Sequence, residues 1–449
     1  MAIPRSPASA QLSRRDVLRW GLALGAAAPL LSACGGVSTS GGGGDGALTF
    51  LSTQFTPVEE AERVRGILKD AYPGRVSYVV GDSSQAGTQV RSQVSSGDVR
   101  INLLGGLHGD FTPLAGDNLE DLSDLMRELS DKGYSSNLQE LAKAGTDRTW
   151  YIPWAQATYL LAVKKSALEH LPSGADVKAL TYDQYLDWAI AARRANGGKA
   201  QFGLPAGPKG LLHRFLQGHL YPSYTGALVT AFRSDDAVTM WKYLKELWAN
   251  TTPASTNFDF MQEPLAAGQV TVAWDHAARL VGAPQAAPDD WMMVPAPAGP
   301  KGRGYMTVVL GLGIPKGAPH ADKAKDVIKA LSQPKTQIEL LRQNAFFPTV
   351  KAEIPADLPP AIRLEADAVR AQQEAPNGIL SLPPVGLGKR DGEMSKIFRD
   401  AFTAIVLEGA DVRRTLDSQA KNMKTILDEV KVPCWAPDPV VPGQTCAVG

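Results

Sequence analysis

The chain has 449 residues, and its 46 basic and 46 acidic side chains give a formal net charge of zero. Without residues 1–33, read below as a leader, 42 basic and 45 acidic residues remain, a balance that excludes a protein held to nucleic acid by phosphate contacts. Beyond the leader no apolar run approaches the ~20 residues of a membrane-spanning helix, and about 415 residues suffice for two sizeable cores.

In chain order, LSRRDVLRW comes first, with Arg14 and Arg15 after Ser13, and GLALGAAAPLLSAC follows. That stretch is too short and too weakly apolar to span a membrane, so it reads as a targeting segment outside the fold. Paired arginines mark the bacterial export route for folded proteins. Val17 stands where such signals often carry Phe, which leaves general secretion open. Leu31-Ser32-Ala33-Cys34 resembles a bacterial lipobox, in which Cys34 becomes the lipidated first residue; the alternative is an ordinary cleavage site beside a chance cysteine. Each buried CH₂ contributes about 0.8 kcal/mol, so several acyl chains would hold the protein firmly on a membrane. GGVSTSGGGGDG (35–46) then reads as a flexible leash with a root-mean-square reach of about 20 Å. The expected location is the outer face of the cytoplasmic membrane.

The body opens with a strand at 47–54, a helix with Thr56 as N-cap, Pro57 as first residue and Glu59 completing a capping box, and a strand at 75–82. A helix at 85–96 and a strand at 99–110 follow. Strand and helix alternate, which predicts a parallel sheet. Ligands of such sheets sit outside the carboxyl ends of the strands, which singles out Gln54-Phe55, Asp82-Ser83 and His108-Gly109-Asp110. An apolar strand runs from Trp154 to Val163. The helix after Thr181 has a capping box with Gln184 and stops at Gly197. Helix 235–249 carries Trp241, Tyr243 and Trp248 on a core face. A buried strand then ends in TVAWDHAARL (271–280). Another apolar strand follows the Pro/Gly loop near 295–304, and the remainder is mostly helical to about Val430. Cys434 and Cys446 bracket the tail CWAPDPVVPGQTC. Outside the cytoplasm a disulfide between them is the default, worth roughly 3 kcal/mol in the entropy model; two free thiols are the alternative.

Four segments occur in order: IPWAQATYLLAVKKSALEHLP, MQEPLAAGQVTVAWDHAARL, VPAPAGPKGRGYMTVVLGLGIPKGA and FFPTV. Together they resemble the bacterial extracellular solute-binding proteins of the carbohydrate ABC-transporter class, over about residues 47–430. The resemblance implies an α/β fold of two lobes, of the type II periplasmic-binding-protein kind, crossed three times at a hinge near Pro153–Thr158, Met306–Leu310 and Asn344–Pro348. Lobe one is then 47–154 with 309–345, and lobe two 155–307 with 347–449. It further implies a monomer that traps its ligand by lobe closure, hands it to the membrane permease of an ABC importer, and needs no cofactor. The ligand that the resemblance implies is a mono- or oligosaccharide, or a related polyol or glycerophosphodiester.

Sugar hydroxyls both donate and accept, and sugar C–H faces lie flat on aromatic rings, so a binder needs carboxylates, amides, Arg, His and aromatic platforms. The candidates with that mix are Gln54, Asp82, His108, Asp110, Trp154, Gln156, Trp274, Asp275, His276, Arg279, Arg214 and Tyr305, with Tyr159 and His213 as further possibilities. Each has a plainer reading. Gln54 closes a turn, Asp110 caps the next segment, Trp154 and Tyr159 pack, His213 and Arg214 line a solvated helix face, and Asp275 pairs with Arg279 four residues on. Gly311 and Gly313 in LGLGI read as close backbone approach, since a nucleotide fingerprint needs a third glycine and an acidic partner.

An enzyme is the competing class. No Gly-x-Ser-x-Gly elbow occurs, and adjacent Asp275 and His276 diverge on a strand or a helix, which precludes the orienting bond of a triad. His213 and His219 miss the i,i+4 spacing of a zinc helix, and no metal is implied. A secreted carbohydrate-active hydrolase using Asp110 and Asp275 as its two carboxylates is the remaining alternative.

Overall fold

The computed structural model describes residues 47–441 and 444–449; the leader, Cys34 and the leash lie outside the described residues. Strands β1 (Leu48–Ser52), β2 (Val76–Val80) and β3 (Leu103–Leu107) pair in parallel, in the order β2-β1-β3. Each is followed by helix: Val58–Ala71, Ser83–Ser96 and the short turn His108–Phe111. The later strands are β4 (Ile152–Lys164), β5 (Phe202–Gly203), β6 (Val272–His276), β7 (Trp291–Val294), β8 (Arg303–Tyr305), β9 (Thr307–Gly313) and β10 (Gly378–Leu380).

β4 joins the two halves of the α/β fold. Its residues 152–158 pair antiparallel with β9, which pairs antiparallel with β3. Its residues 159–164 pair antiparallel with β6 on one edge and β7 on the other, and β5 lies parallel to β6. The sheet is therefore mixed, not parallel throughout. β4 carries the chain out of lobe one and β9 brings it back, so the two run in opposite directions side by side. The third crossing is tied to the first: Gln156 N donates to Phe347 O at 2.9 Å, and Phe347 N returns the bond at 2.7 Å.

The cores follow from the pleat. Ile152, Trp154 and Ala155 enter the lobe-one core with Phe50, Leu104 and Leu312. Further along β4, Tyr159, Leu161 and Val163 join Trp188, Trp241 and Phe398 on one face of the lobe-two sheet. Leu160 and Ala162 join Met261, Ile362 and Val369 on the other. With both faces covered, β4 reads as a continuous apolar run. Trp188, Trp241 and Trp274 are wholly buried, each worth roughly 1.5–3 kcal/mol by area.

Local signals had mixed outcomes. The capping box before Tyr182–Ala195 forms, with Gln184 N donating to Thr181 Oγ1 at 3.2 Å and Thr181 N to Gln184 Oε1 at 3.0 Å. The box expected at Thr56 does not form. Phe55 adopts φ 55° and buries its ring, and the helix starts at Val58 with Pro57 at the cap and no side-chain cap bond. Trp241 and Tyr243 face the core of the helix Asp235–Ala249. Gly311 and Gly313 admit the rings of Tyr151 and Phe111, since a Cβ would lie 2.3 Å from Tyr151 and 2.8 Å from Phe111 respectively. In the tail a disulfide joins Cys434 and Cys446. Asp438 accepts backbone N–H bonds from Leu228, Val229 and Thr230. Among the described residues no helix is long and apolar enough to cross a membrane.

Candidate functional site

Where the strand ends of lobe one meet lobe two, a small polar net forms first. Thr53 Oγ1 donates to Asp110 Oδ2 at 2.8 Å and accepts from Gln54 Nε2 at 3.0 Å. The same Asp110 oxygen accepts Leu107 N at 2.9 Å. Asp110 thus ties the end of β1 to the end of β3 and steers Gln54 through Thr53. Gly106 allows this approach, because a Cβ there would lie 2.7 Å from the carboxylate. His108 Nδ1 is 2.8 Å from Tyr151 Oη, and burial lowers its pKa to about 4, so the ring is neutral. Asp82 is exposed, and its Oδ1 accepts Gln85 N at 3.3 Å in the first turn of Ser83–Ser96.

Lobe two contributes rings. Tyr159 lies parallel to Trp274 with centroids 4.9 Å apart and planes at 7°. Phe215 and His219 stand 4.8 and 5.2 Å from Trp274. His276 meets Tyr159 edge-on at 5.4 Å and Phe346 at 6.1 Å. Phe346 reaches Phe55 at 4.9 Å, and Phe55 reaches Trp154 at 5.7 Å. A continuous file of rings therefore links the two cores over one face of β4. Beneath it, Trp274 Nε1 and Gln217 Nε2 are buried without a hydrogen-bond partner among the described residues.

Two cations flank the file. Arg214 donates to Gln217 Oε1 at 3.1 Å and lies 3.6 Å from Asp391. Arg279 sits 3.5 Å over the centre of the Phe260 ring, a cation–π contact. Burial raises the Tyr159 hydroxyl pKa to about 12, opposed by Arg214 and Arg279. Burial, aided by Arg279, lowers the His276 pKa to about 3. From lobe one, Glu60 is raised by burial and pulled back by Arg63 and Arg279. Within the file Tyr159 and Trp274 are buried, while His276 and Phe346 are half-buried, with the guanidinium groups of Arg214 and Arg279 beside them.

Other candidates fall elsewhere. Asp275 is fully buried. Its Oδ2 accepts Met261 N at 2.9 Å and its Oδ1 accepts His276 N at 2.7 Å, which fastens the start of the helix Gln262–Ala266 to β6. It belongs to β6 and not to the helical turn Ala277–Leu280, so the i,i+4 geometry for pairing with Arg279 is absent. The pleat sends Trp274 and His276 to one face and Asp275 to the other. By the same alternation Gln156 faces away from Tyr159. Its Nε2 donates to Pro348 O at 2.7 Å, and with Tyr305 it lines a separate cavity of about 420 Å³. Trp154 is 2% exposed and packs edge-on against Phe50 and Phe55. His213 is buried 3.4 Å from Arg399 Nη1.

Phe346, Phe260, Glu60 and Gln217 were missed by sequence reasoning. Phe346 lies in the FFPTV segment that marks the third crossing, so its place beside the site was within reach. Gln217 sits in a π-helical turn, Leu216–Leu220, a geometry frequent at functional sites but silent in sequence.

The family model described as bacterial extracellular solute-binding protein matches residues 65–338, more than half of the chain. Among solved structures, UgpB from Mycobacterium tuberculosis in complex with glycerophosphocholine superposes with a TM-score of 0.69 at 19% identity, covering 86% of this chain and 99% of that one. The sugar-binding protein MalE from Xanthomonas citri gives 0.70 at 17% identity, covering 86% and 98%. Maltose-bound MalE3 from T. maritima gives 0.65 at 19%, covering 85% and 100%. At these identities the likeness establishes the fold. No curated protein matches the sequence.

Proposed function

We propose, for a chain that belongs to the family of bacterial extracellular solute-binding proteins, that it captures a carbohydrate between its lobes and delivers it to an ABC importer. The observation that carries the reading is the Tyr159–Trp274 stack, continued by His276 and Phe346 to the lobe-one core. The half-buried rings of His276 and Phe346 that this stack supports, with the Gln54 amide and the guanidinium groups of Arg214 and Arg279, suit a polyhydroxylated ring. A glycerophosphodiester, as in the solved complex of UgpB, is the other ligand that Arg214 and Arg279 favour. Gln54, His108, His276, Arg214 and Arg279 are the contacts proposed, with Asp110 as a positioning residue and Trp274, wholly buried, as support beneath them.

Lobe one is proposed as 47–154 with 309–345 and lobe two as 155–307 with 347–449. Closure about the three crossings traps the solute, and no bond is made or broken. The hydrolase alternative is disfavoured by its carboxylates, since Asp275 and Asp110 are both engaged by backbone N–H groups. The mature chain is proposed to be a monomer held outside the cytoplasmic membrane through lipidated Cys34, and Cys34→Ala would then move it from the membrane to the soluble fraction.

A ligand that binds only the folded state raises its melting temperature. A thermal-shift panel of sugars, polyols and glycerophosphodiesters tests the reading, with at least one compound expected to stabilise by several degrees. A response to amino acids or peptides alone would sink the substrate class.

A further inference from the structure

Opposite the ring file, on the other face of β4, lies the cavity of about 420 Å³ lined by Gln156 and Tyr305. We propose that it is a second small-molecule site, for an aromatic molecule bearing a hydrogen-bond acceptor, and that its occupancy is coupled to the angle between the lobes. The volume falls within the ~300–1,000 Å³ of small-molecule pockets.

The walls come from both lobes. Leu138, from lobe one, lines the cavity, as does Val350, which follows the third crossing yet packs in the lobe-one core. Leu382 lines it and packs against both lobe cores. Trp435, also in the lining, is flanked in sequence by Cys434, which is buried in the lobe-two core, yet its own ring packs against the lobe-one core. The disulfide to Cys446 and the Leu382 N to Ala436 O bond at 3.1 Å fix the segment that presents this ring. The tail is therefore more than a staple, because it carries one lobe's side chain across the hinge to the other.

The chemistry of the occupant follows from the lining. Trp435 lines the cavity while its indole N–H is buried away from it, and the polar lining includes the amides of Asn137, Gln156 and Gln373. A carbonyl or hydroxyl oxygen on the occupant can accept from one of these amides. Leu138, Val350 and Leu382 offer apolar surface to a ring, and among the described residues of the lining Lys351 alone is charged and it is exposed, so the wall does not require a charged occupant. A molecule that touches both lobes binds some lobe angles better than others, and so is linked to whatever the opposite face binds.

The test uses 2-naphthol as the probe and isothermal calorimetry on the purified chain. One site per chain is expected, with affinity lowered at least tenfold in Leu382→Trp and Leu138→Trp, which fill the cavity, and three- to tenfold in Gln373→Leu, which keeps the bulk and removes the amide. Melting curves verify that each variant is folded, and two filling variants guard against the loss of either. No binding to the wild type, or equal binding to a folded filling variant, would overturn the site. Repeating the titration with the best stabiliser from the sugar panel should change the probe's affinity at least threefold, and an unchanged value would overturn the coupling. If no sugar stabilises the protein, the carbohydrate reading fails while the naphthol arm still decides the second site.

Discussion

The two walls of the candidate site are built from different materials. Lobe one offers short polar side chains held in a net, with Thr53 bonded to both Gln54 and Asp110. Lobe two offers large rings packed into its own core, with Trp274 wholly buried against Tyr159 and Phe215. Damage to lobe two should therefore be felt first as lost stability, and damage to lobe one first as lost recognition. A site divided this way can change its ligand through the polar wall without repacking a core.

The contrast can be broken most severely at Trp274. Trp274→Ala removes a fully buried indole and should cost about 3–5 kcal/mol, read as a fall in the denaturant midpoint, together with loss of any ligand-induced shift. Stability close to wild type would show that the ring is not part of the core.

Acid comes next. His108, His213, His219 and His276 have folded pKa values lowered by burial to about 4, 2, 3 and 3. The unfolded chain binds protons at these groups below about 6.5 while the fold does not, so stability present above 6.5 is lost as pH falls. Asp275 opposes this. Burial raises its folded pKa to about 6 from 3.8, so its contribution is present at low pH and lost as pH rises through 6. Glu365, buried and raised well above the usual carboxyl range, opposes in the same sense; four histidines outweigh two carboxyls, and the net loss from pH 6.5 to 5.5 should be about 2 kcal/mol. Asp275→Asn should make the decline steeper, and a melting temperature flat across that interval would contradict the buried neutral histidines.

On the polar wall Asp110→Ala leaves Leu107 N without its acceptor and should cost about 1–2 kcal/mol by chemical denaturation. Gln54→Ala is the mildest change. Its side chain is half-buried and, among the described residues, bonded to Thr53 alone, so stability should move by less than about 0.5 kcal/mol, while affinity for the ligand identified by thermal shift should drop about fivefold. If Gln54→Ala left affinity untouched, lobe one would have to recognise its ligand by other groups.

Much of this arrangement was legible in the chain. The lobe-one strands, the apolar run of β4 and the capping box at Thr181 follow from pattern and propensity. The placement of Gln156 was also available. Counting in twos from Tyr159 reaches Ala157 and skips Gln156, which puts the latter on the opposite face. Asp275 was obscured because TVAWDHAARL changes from strand to helical turn at His276–Ala277, and one residue of boundary decides whether its carboxylate meets Arg279 or the backbone of Met261. Phe260 and Glu60 reach Arg279 only through tertiary packing, which no local pattern encodes.

β4 has a further consequence. The strand that carries the hinge is also bonded along its length to β9, β6 and β7, so its amides should be among the slowest in the molecule to exchange with deuterated water. The exception is the register shift between Pro153 and Ala155, where proline supplies no amide and the ladder is locally interrupted. Bending can concentrate there while the rest of the strand stays closed. The same strand lies in both cores, so neither lobe can melt without disturbing the other. A single cooperative loss of protection across both lobes is the expected signature.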